Sequence, residues 1–197
     1  MKYQGNINEV AALQPDFLGF IFHEESPRIF EGIIPELPQN MKKVGVFVDK
    51  DFDYILTEVR QHNLQVVQLH GEESPELCER LRAENLEVIK VFSIKDEFNF
   101  DKLIPFENAC DYYLFDTKGK LPGGNGYTFN WNVLKNYPST KPFFLSGGIG
   151  LNQLENIKEF QKNEASKYCF ALDVNSMFEI KPGLKNSVNL KKLISLL

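Results

Sequence analysis

No apolar run in this chain approaches the ~20 residues that a membrane-spanning helix needs, which excludes an integral helical membrane protein. The N-terminus, MKYQGNINEV, has no apolar core, so a cleaved secretory leader is not expected. Basic charge is in short supply. The 22 Lys and Arg face 27 Asp and Glu, a net charge of −5, which argues against nucleic acid as the main partner. Cysteine is scarce as well. The three, Cys78, Cys110 and Cys169, are far apart, odd in number and outside any CxxC pair. Reduced, mostly buried thiols in a cytoplasmic protein are the expected state. Alternating apolar–polar strands, linkers and low-complexity segments are also missing. The 197 residues therefore read as one domain, 1–197, with a sizeable core.

What is present is a repeated α-then-β order. Residues 1–13 have helical spacing (Ile7, Val10, Ala11, Leu13), ended by Pro15. Seven apolar runs follow: FLGFIF (17–22), KVGVFV (43–48), QVVQLH (65–70), EVIKVF (87–92), YYLFD (112–116), PFFLS (142–146) and YCFALDV (168–174). The first, FLGFIF, is apolar on both faces, as a strand covered on both sides should be. Helices are expected over 51–62, 74–85, 96–104, 129–136, 152–161 and 188–196, with Ser74-Pro75 as a cap and first turn and Asn152 as a further cap. The proline-rich stretch 32–38 has room for a short helix only, and Pro182-Gly183 marks a loop. The pattern argues for an all-parallel sheet with helical crossovers.

The most informative stretch is 112–131, YYLFDTKGKLPGGNGYTFNW. A buried strand ends on Asp116; a loop with Lys118, Lys120, Gly123, Gly124 and Gly126 follows; then Thr128 precedes Phe129 and Trp131 as a helix start would. Such a strand–loop–helix unit suits a phosphorylated ligand, although its spacing matches no P-loop. Other polar residues also fall at or just past strand ends: Arg28, His70, Ser146-Gly147-Gly148, Asp173 and Asn175-Ser176. Spreading them over nearly every strand end is barrel behaviour, whereas a doubly wound sheet gathers them at one switch point. The expected fold is thus an α/β (β/α)8 TIM-type barrel in which this chain lacks the first β-strand, since seven strands are counted and the chain starts on a helix.

In order, LGFIF and SPR (18–28), KVGVFV, VVQLHG (66–71), VIKVF (88–92), LFDTK (114–118), GGNGYTFNW (123–131), PFFLSGGI (142–149), LDVNS (172–176) and KPGLK (181–185) resemble the phosphoribosylanthranilate isomerase family of tryptophan biosynthesis. The resemblance covers essentially the whole chain. It implies an intramolecular aldose–ketose isomerase: the Amadori rearrangement of phosphoribosylanthranilate, a phosphorylated aminosugar, with no metal and no organic cofactor. An acid must open the furanose and a base must remove the C2 proton.

By the resemblance, Asp116 is the general acid. Arg28 pairs with the anthranilate carboxylate, and His70 and Asp173 contact substrate. Backbone at Gly126, Gly147, Gly148, Asn175 and Ser176 receives the phosphate. The family base is a Cys in a Lys-(Ile/Val)-Cys-Gly first strand. None of Cys78, Cys110 and Cys169 matches it, so a start placed too late, and an impaired chain, are expected. Ser176-Met177-Phe178-Glu179 also departs from the family's Ser-Gly-Val-Glu, replacing a permissive backbone position with a bulky one. A non-catalytic phosphosugar-binding barrel and a phosphate-binding barrel enzyme of other chemistry stay open. Expected partners are the small substrate and, through exposed edge strands, a second copy in a homodimer; nucleic acid and membrane are not expected.

Overall fold

In the computed structural model, which describes residues 1–95, 97–117 and 128–197, seven strands form one parallel sheet. They are β1 (Phe17–Ile21), β2 (Lys42–Phe47), β3 (Val66–Leu69), β4 (Glu87–Ile94), β5 (Tyr112–Thr117), β6 (Phe143–Leu145) and β7 (Cys169–Leu172), and they pair strictly in chain order. Helices cover the outside: α1 (Gln4–Ala11), α2 (Phe52–His62), α3 (Pro75–Ala83), α4 (Leu154–Phe160) and α5 (Ser187–Ile194).

Two apolar clusters follow from the two-residue alternation of a strand. The inner one joins Val44, Val66, Ile89, Val91, Leu114 and Phe144, with Phe17, Tyr112 and Ala171 packed against it. The larger, outer one joins alternate residues such as Phe20, Phe47, Val67, Val88, Tyr113 and Phe143 to the helices. The sheet curls until its ends approach. The Phe17 ring on β1 lies 5.2 Å from Phe144 on β6 and 6.0 Å from Phe170 on β7. Among the described residues β1 pairs only with β2 in this sheet and β7 only with β6, so both face the opening as edges. This is a (β/α) barrel wall of seven strands.

The helix starts show why the local sequence folds as it does. Asp51 caps α2 by accepting from the Tyr54 N–H at 2.8 Å, and Ser74 caps α3 by accepting from Leu77 N–H, with Pro75 in the first turn. Several expectations need correction. Residues 100–106 and 131–136 are 3-10 helices, not α-helices. Asn99 and Asn130 start them by accepting from the N–H two residues on, which sets a tight first turn. Thr128 therefore starts no helix. A 3-10 turn over Leu151–Gln153 displaces the next helix start to Leu154, so Asn152 is no cap. The proline-rich stretch 32–38 forms no helix. Pro182-Gly183 is the turn of a small antiparallel hairpin, β8 (Glu179–Lys181) with β9 (Leu184–Lys185), Gly183 taking φ +79°.

One buried ion pair fixes the turn after β3. Lys90 on β4 donates to Glu73 Oε2 at 2.8 Å and to the Gly71 carbonyl at 2.7 Å. Glu73 in turn accepts from the Gly71 and Asp49 N–H groups. A side chain at Gly71 would come within 2.2 Å of Asp49 Oδ1, so glycine is required there. Removing one partner of a buried, hydrogen-bonded pair leaves the other charge uncompensated. Glu73→Ala should therefore destabilise the protein by ~3–5 kcal/mol, measured by urea unfolding; a loss under ~1 kcal/mol, the worth of an exposed pair, would contradict this account.

Candidate active site

The inward face of four strands, β3, β5, β6 and β7, changes character toward its C-terminal end. Val66 is followed at two-residue spacing by Gln68 and His70; Leu114 by Asp116; Phe144 by Ser146; Ala171 by Asp173. An apolar interior thus carries a polar rim, and the rim opens on a cavity of about 470 Å³.

Asp116 is 5% exposed at the end of β5. Its Oδ1 accepts from the Thr117 N–H at 2.8 Å, and its Oδ2 lies 3.4 Å from His70 Nε2. His70 Nδ1 lies 3.5 Å from the Gln68 amide nitrogen, so a ring protonated on Nε2 satisfies both neighbours. Asp173 accepts from Ser146 Oγ at 3.1 Å. Burial, and then the charge of Asp116, push the Asp173 carboxyl above its ordinary range, while Lys185, the Ser146 hydrogen bond and His70 oppose the shift. Between Asp116 and Asp173, β6 ends in Gly147 and Gly148, both with positive φ (+88° and +67°). A side chain at Gly147 would lie 2.1 Å from Thr117 Oγ1, so two strand ends meet there at backbone distance.

A charged cluster closes the opposite side. Arg28 Nε donates to both Glu179 carboxylate oxygens at 2.9 and 3.1 Å, and its Nη2 lies 2.8 Å from Oε2. Lys185 donates to Glu179 Oε1 at 3.1 Å and to Asn175 Oδ1. Burial works to raise the Glu179 carboxyl, but Arg28 and Lys185 hold it below its usual range. Burial lowers the Lys185 ammonium against the pull of Glu179 and Asp173.

The cavity thus brings together Arg28, His70, Asp116, Gly147, Gly148, Asp173, Asn175 and Ser176, all expected from the sequence. Gly126 lies outside the described residues. Arg28 is engaged by an internal carboxylate, and the Asn175 side chain is held by Lys185. Sequence reasoning gave no role to Gln68, Glu179 or Lys185. The first could have been found two residues before His70 on the same strand face, and the others lie in the SMFE and KPGLK segments already singled out. The three cysteines are elsewhere. Burial pushes each thiol up to about 12, and none lines the cavity. Among the described residues no group of three or more His, Cys, Asp and Glu is placed to hold a metal ion.

A curled parallel sheet with carboxylates, a histidine and a glycine turn gathered at its C-terminal rim defines a small-molecule enzyme site of the (β/α)-barrel class. Comparison with known proteins narrows this. The family model for N-(5'-phosphoribosyl)anthranilate (PRA) isomerase matches residues 2–195. The N-(5'-phosphoribosyl)anthranilate isomerase of Phocaeicola vulgatus is 38% identical over 195 residues, covering 99% of this chain and 93% of its own. The solved phosphoribosyl anthranilate isomerase of Thermotoga maritima, elsewhere described as dimeric, superposes with a TM-score of 0.82 at 30% identity, over 100% of this chain and 94% of its own. Another solved isomerase, bound to reduced 1-(o-carboxyphenylamino)-1-deoxyribulose 5-phosphate, superposes with a TM-score of 0.78 at 28% identity, over 99% of this chain and 93% of its own. The chain belongs to the N-(5'-phosphoribosyl)anthranilate isomerase family.

Since Asp173 has a raised carboxyl in the folded state, its ionisation costs stability above that raised value, and the cost disappears as pH falls below the ordinary carboxylate range. Asp173→Asn should therefore be more stable than the parent at neutral pH, with the gain shrinking on acidification toward pH ~4. Thermal unfolding of both proteins across that range checks this, and a gain that grows on acidification would refute it.

Proposed function

We propose that this chain catalyses the Amadori rearrangement of phosphoribosylanthranilate to 1-(2-carboxyphenylamino)-1-deoxyribulose 5-phosphate in tryptophan biosynthesis, with no cofactor. The observation that carries the reading is Asp116, a buried carboxyl ending β5 on the cavity, beside His70 and near Asp173. Family membership supplies the reaction.

In the first step the Asp116 carboxyl gives its proton to the furanose ring oxygen. The C1–O bond breaks, and the nitrogen lone pair forms a C1=N bond. In the second a base takes the C2 proton. The C2–H electrons form C1=C2, and the C=N electrons return to nitrogen. The enol so formed takes a proton at C1 and gives up its C2 hydroxyl proton to solvent, becoming the ketone. Arg28 takes the anthranilate carboxylate. His70 and Asp173 contact the sugar. The left-handed turn at Gly147-Gly148, with Asn175 and Ser176, offers backbone N–H groups to the phosphate, the usual place in such barrels.

No cysteine of this chain stands at the cavity to act as base, so we place its rate ~10²–10⁴-fold below that of a form with one. We further place the protein in the cytoplasm. No helix of the described residues is long and apolar enough to cross a membrane. We assign residues 1–197 to one barrel domain that pairs with a second copy through the free edges of β1 and β7. The half-exposed Phe170 on β7 supports this, and sedimentation tests it.

The assay is conversion of phosphoribosylanthranilate by this chain and by a version preceded by a Lys-Val-Cys-Gly strand. The extended form should turn over ~10²–10⁴-fold faster. Asp116→Asn should remove a similar factor from kcat in either form, with a smaller effect on KM. Replacing Cys78, Cys110 or Cys169 by Ala should leave turnover unchanged. An extended form that binds substrate without converting it would instead make the protein a phosphosugar-binding barrel.

A further inference from the structure

Arg28 is a long side chain that meets the cavity from the loop after β1, and nothing in its own loop orients its guanidinium. Ser26 Oγ accepts only from its backbone N–H. Orientation comes from Glu179, distant in sequence on the hairpin. Glu179 occupies the Nε–Nη2 edge of the guanidinium and makes none of these bonds with Nη1. Glu179 is itself immobilised: it is 4% exposed in its side chain, Lys185 donates to its Oε1, and the Gly183 N–H donates to the same oxygen at 3.0 Å. Lys185 extends the connection to Asn175, at the end where the phosphate is proposed to lie.

We propose that Glu179 is a positioning residue for ligand recognition: clamped by Lys185 and the Gly183 N–H, it aims the free Nη1 end of Arg28 into the cavity to receive the aromatic carboxylate of the ligand. The inference rests on the functional reading above and adds the source of carboxylate specificity. Glu179 neither touches the ligand nor transfers a proton. It removes the rotamer freedom that Arg28 would otherwise lose on binding, and it places one carboxylate between two cations so that Arg28 and Lys185 can share a buried wall. Because Lys185 and Gly183 hold it, Glu179 is not an inhibitor waiting to be displaced. The ligand takes the donors that Glu179 leaves.

The test is binding, which needs no turnover. Calorimetry compares reduced 1-(o-carboxyphenylamino)-1-deoxyribulose 5-phosphate with the same compound lacking the carboxylate, in the parent, Glu179→Ala and Glu179→Gln. The parent should prefer the carboxylated compound ~10–100-fold, the worth of a charge-assisted hydrogen-bonded pair. The alanine variant should keep less than ~3-fold, and the glutamine variant, which retains size and one acceptor, should lie between. In an Arg28→Ala background, Glu179→Ala should change the preference no further. A merely structural role would weaken both compounds alike and leave the ratio unchanged. Glu179→Gln keeps the measurement available if the alanine variant does not fold. A preference that survives in both variants, or rises in either, overturns the inference alone. A parent that binds neither compound overturns the functional reading together with it.

Discussion

The parallel register of seven strands is the constraint on which the cavity depends. In a pleated strand every second residue faces inward, so a one-residue slip would turn a whole inner set outward. Register pairs Phe115 with Leu145 and Leu145 with Leu172, so that β5, β6 and β7 end together and bring Asp116, Ser146 and Asp173 to one level. The apolar layers below exclude water from the base of the mouth, and the change from apolar to polar side chains comes near the C-terminal ends of β3, β5, β6 and β7. The turns beyond are then fixed one by one: Lys90 and Glu73 hold the turn after His70, and Gly147 lets the β6 turn rest on Thr117.

That arrangement carries a stability cost. Asp116 and Asp173 are like charges in a partly dry site, and Lys185 is a cation drawn out of water. The raised carboxyl of Asp173 and the lowered ammonium of Lys185 are two signs of one strain. A barrel built for stability alone would put apolar side chains at these positions, as it does one layer below. Buried ionisable groups whose proton affinities are displaced in a cleft are what acid–base chemistry requires.

Much of this was legible in the sequence, because strands covered on both faces read as short apolar runs and barrels announce themselves by polar residues at successive strand ends. The runs ending at His70, Asp116, Ser146 and Asp173 needed only their order and period to be placed on one rim. The 3-10 segments were misread as α-helices because apolar spacing over six or seven residues does not separate the two; side-chain acceptors at Asn99 and Asn130 set the tighter turn. The hairpin over Glu179–Lys185 was read as a loop because its strands are too short to show a period. The pairing of Arg28 with Glu179 was invisible for another reason. It joins residues 151 positions apart, and only closure of the sheet makes them neighbours.

On the proposed reading, binding and chemistry fall on different parts of the cavity wall. Carboxylate recognition belongs to the loop after β1 and to the hairpin, and phosphate recognition to the turns after β6 and β7. Proton transfer belongs to the end of β5 and to whatever faces it across the opening between β1 and β7. The first has Arg28 paired with Glu179, which Lys185 and the Gly183 N–H hold, and the second has the Gly147-Gly148 turn beside Asn175 and Ser176. On the same reading the third has Asp116 as its acid, while none of the three cysteines lines the cavity. Affinity and rate are therefore separable here: the recognition groups need the sheet's register and the hairpin, while the rate needs in addition a base at C2. Ligand affinity can then be retained at a site that turns over slowly, because transition-state stabilisation requires the reacting proton's partner and ground-state binding does not.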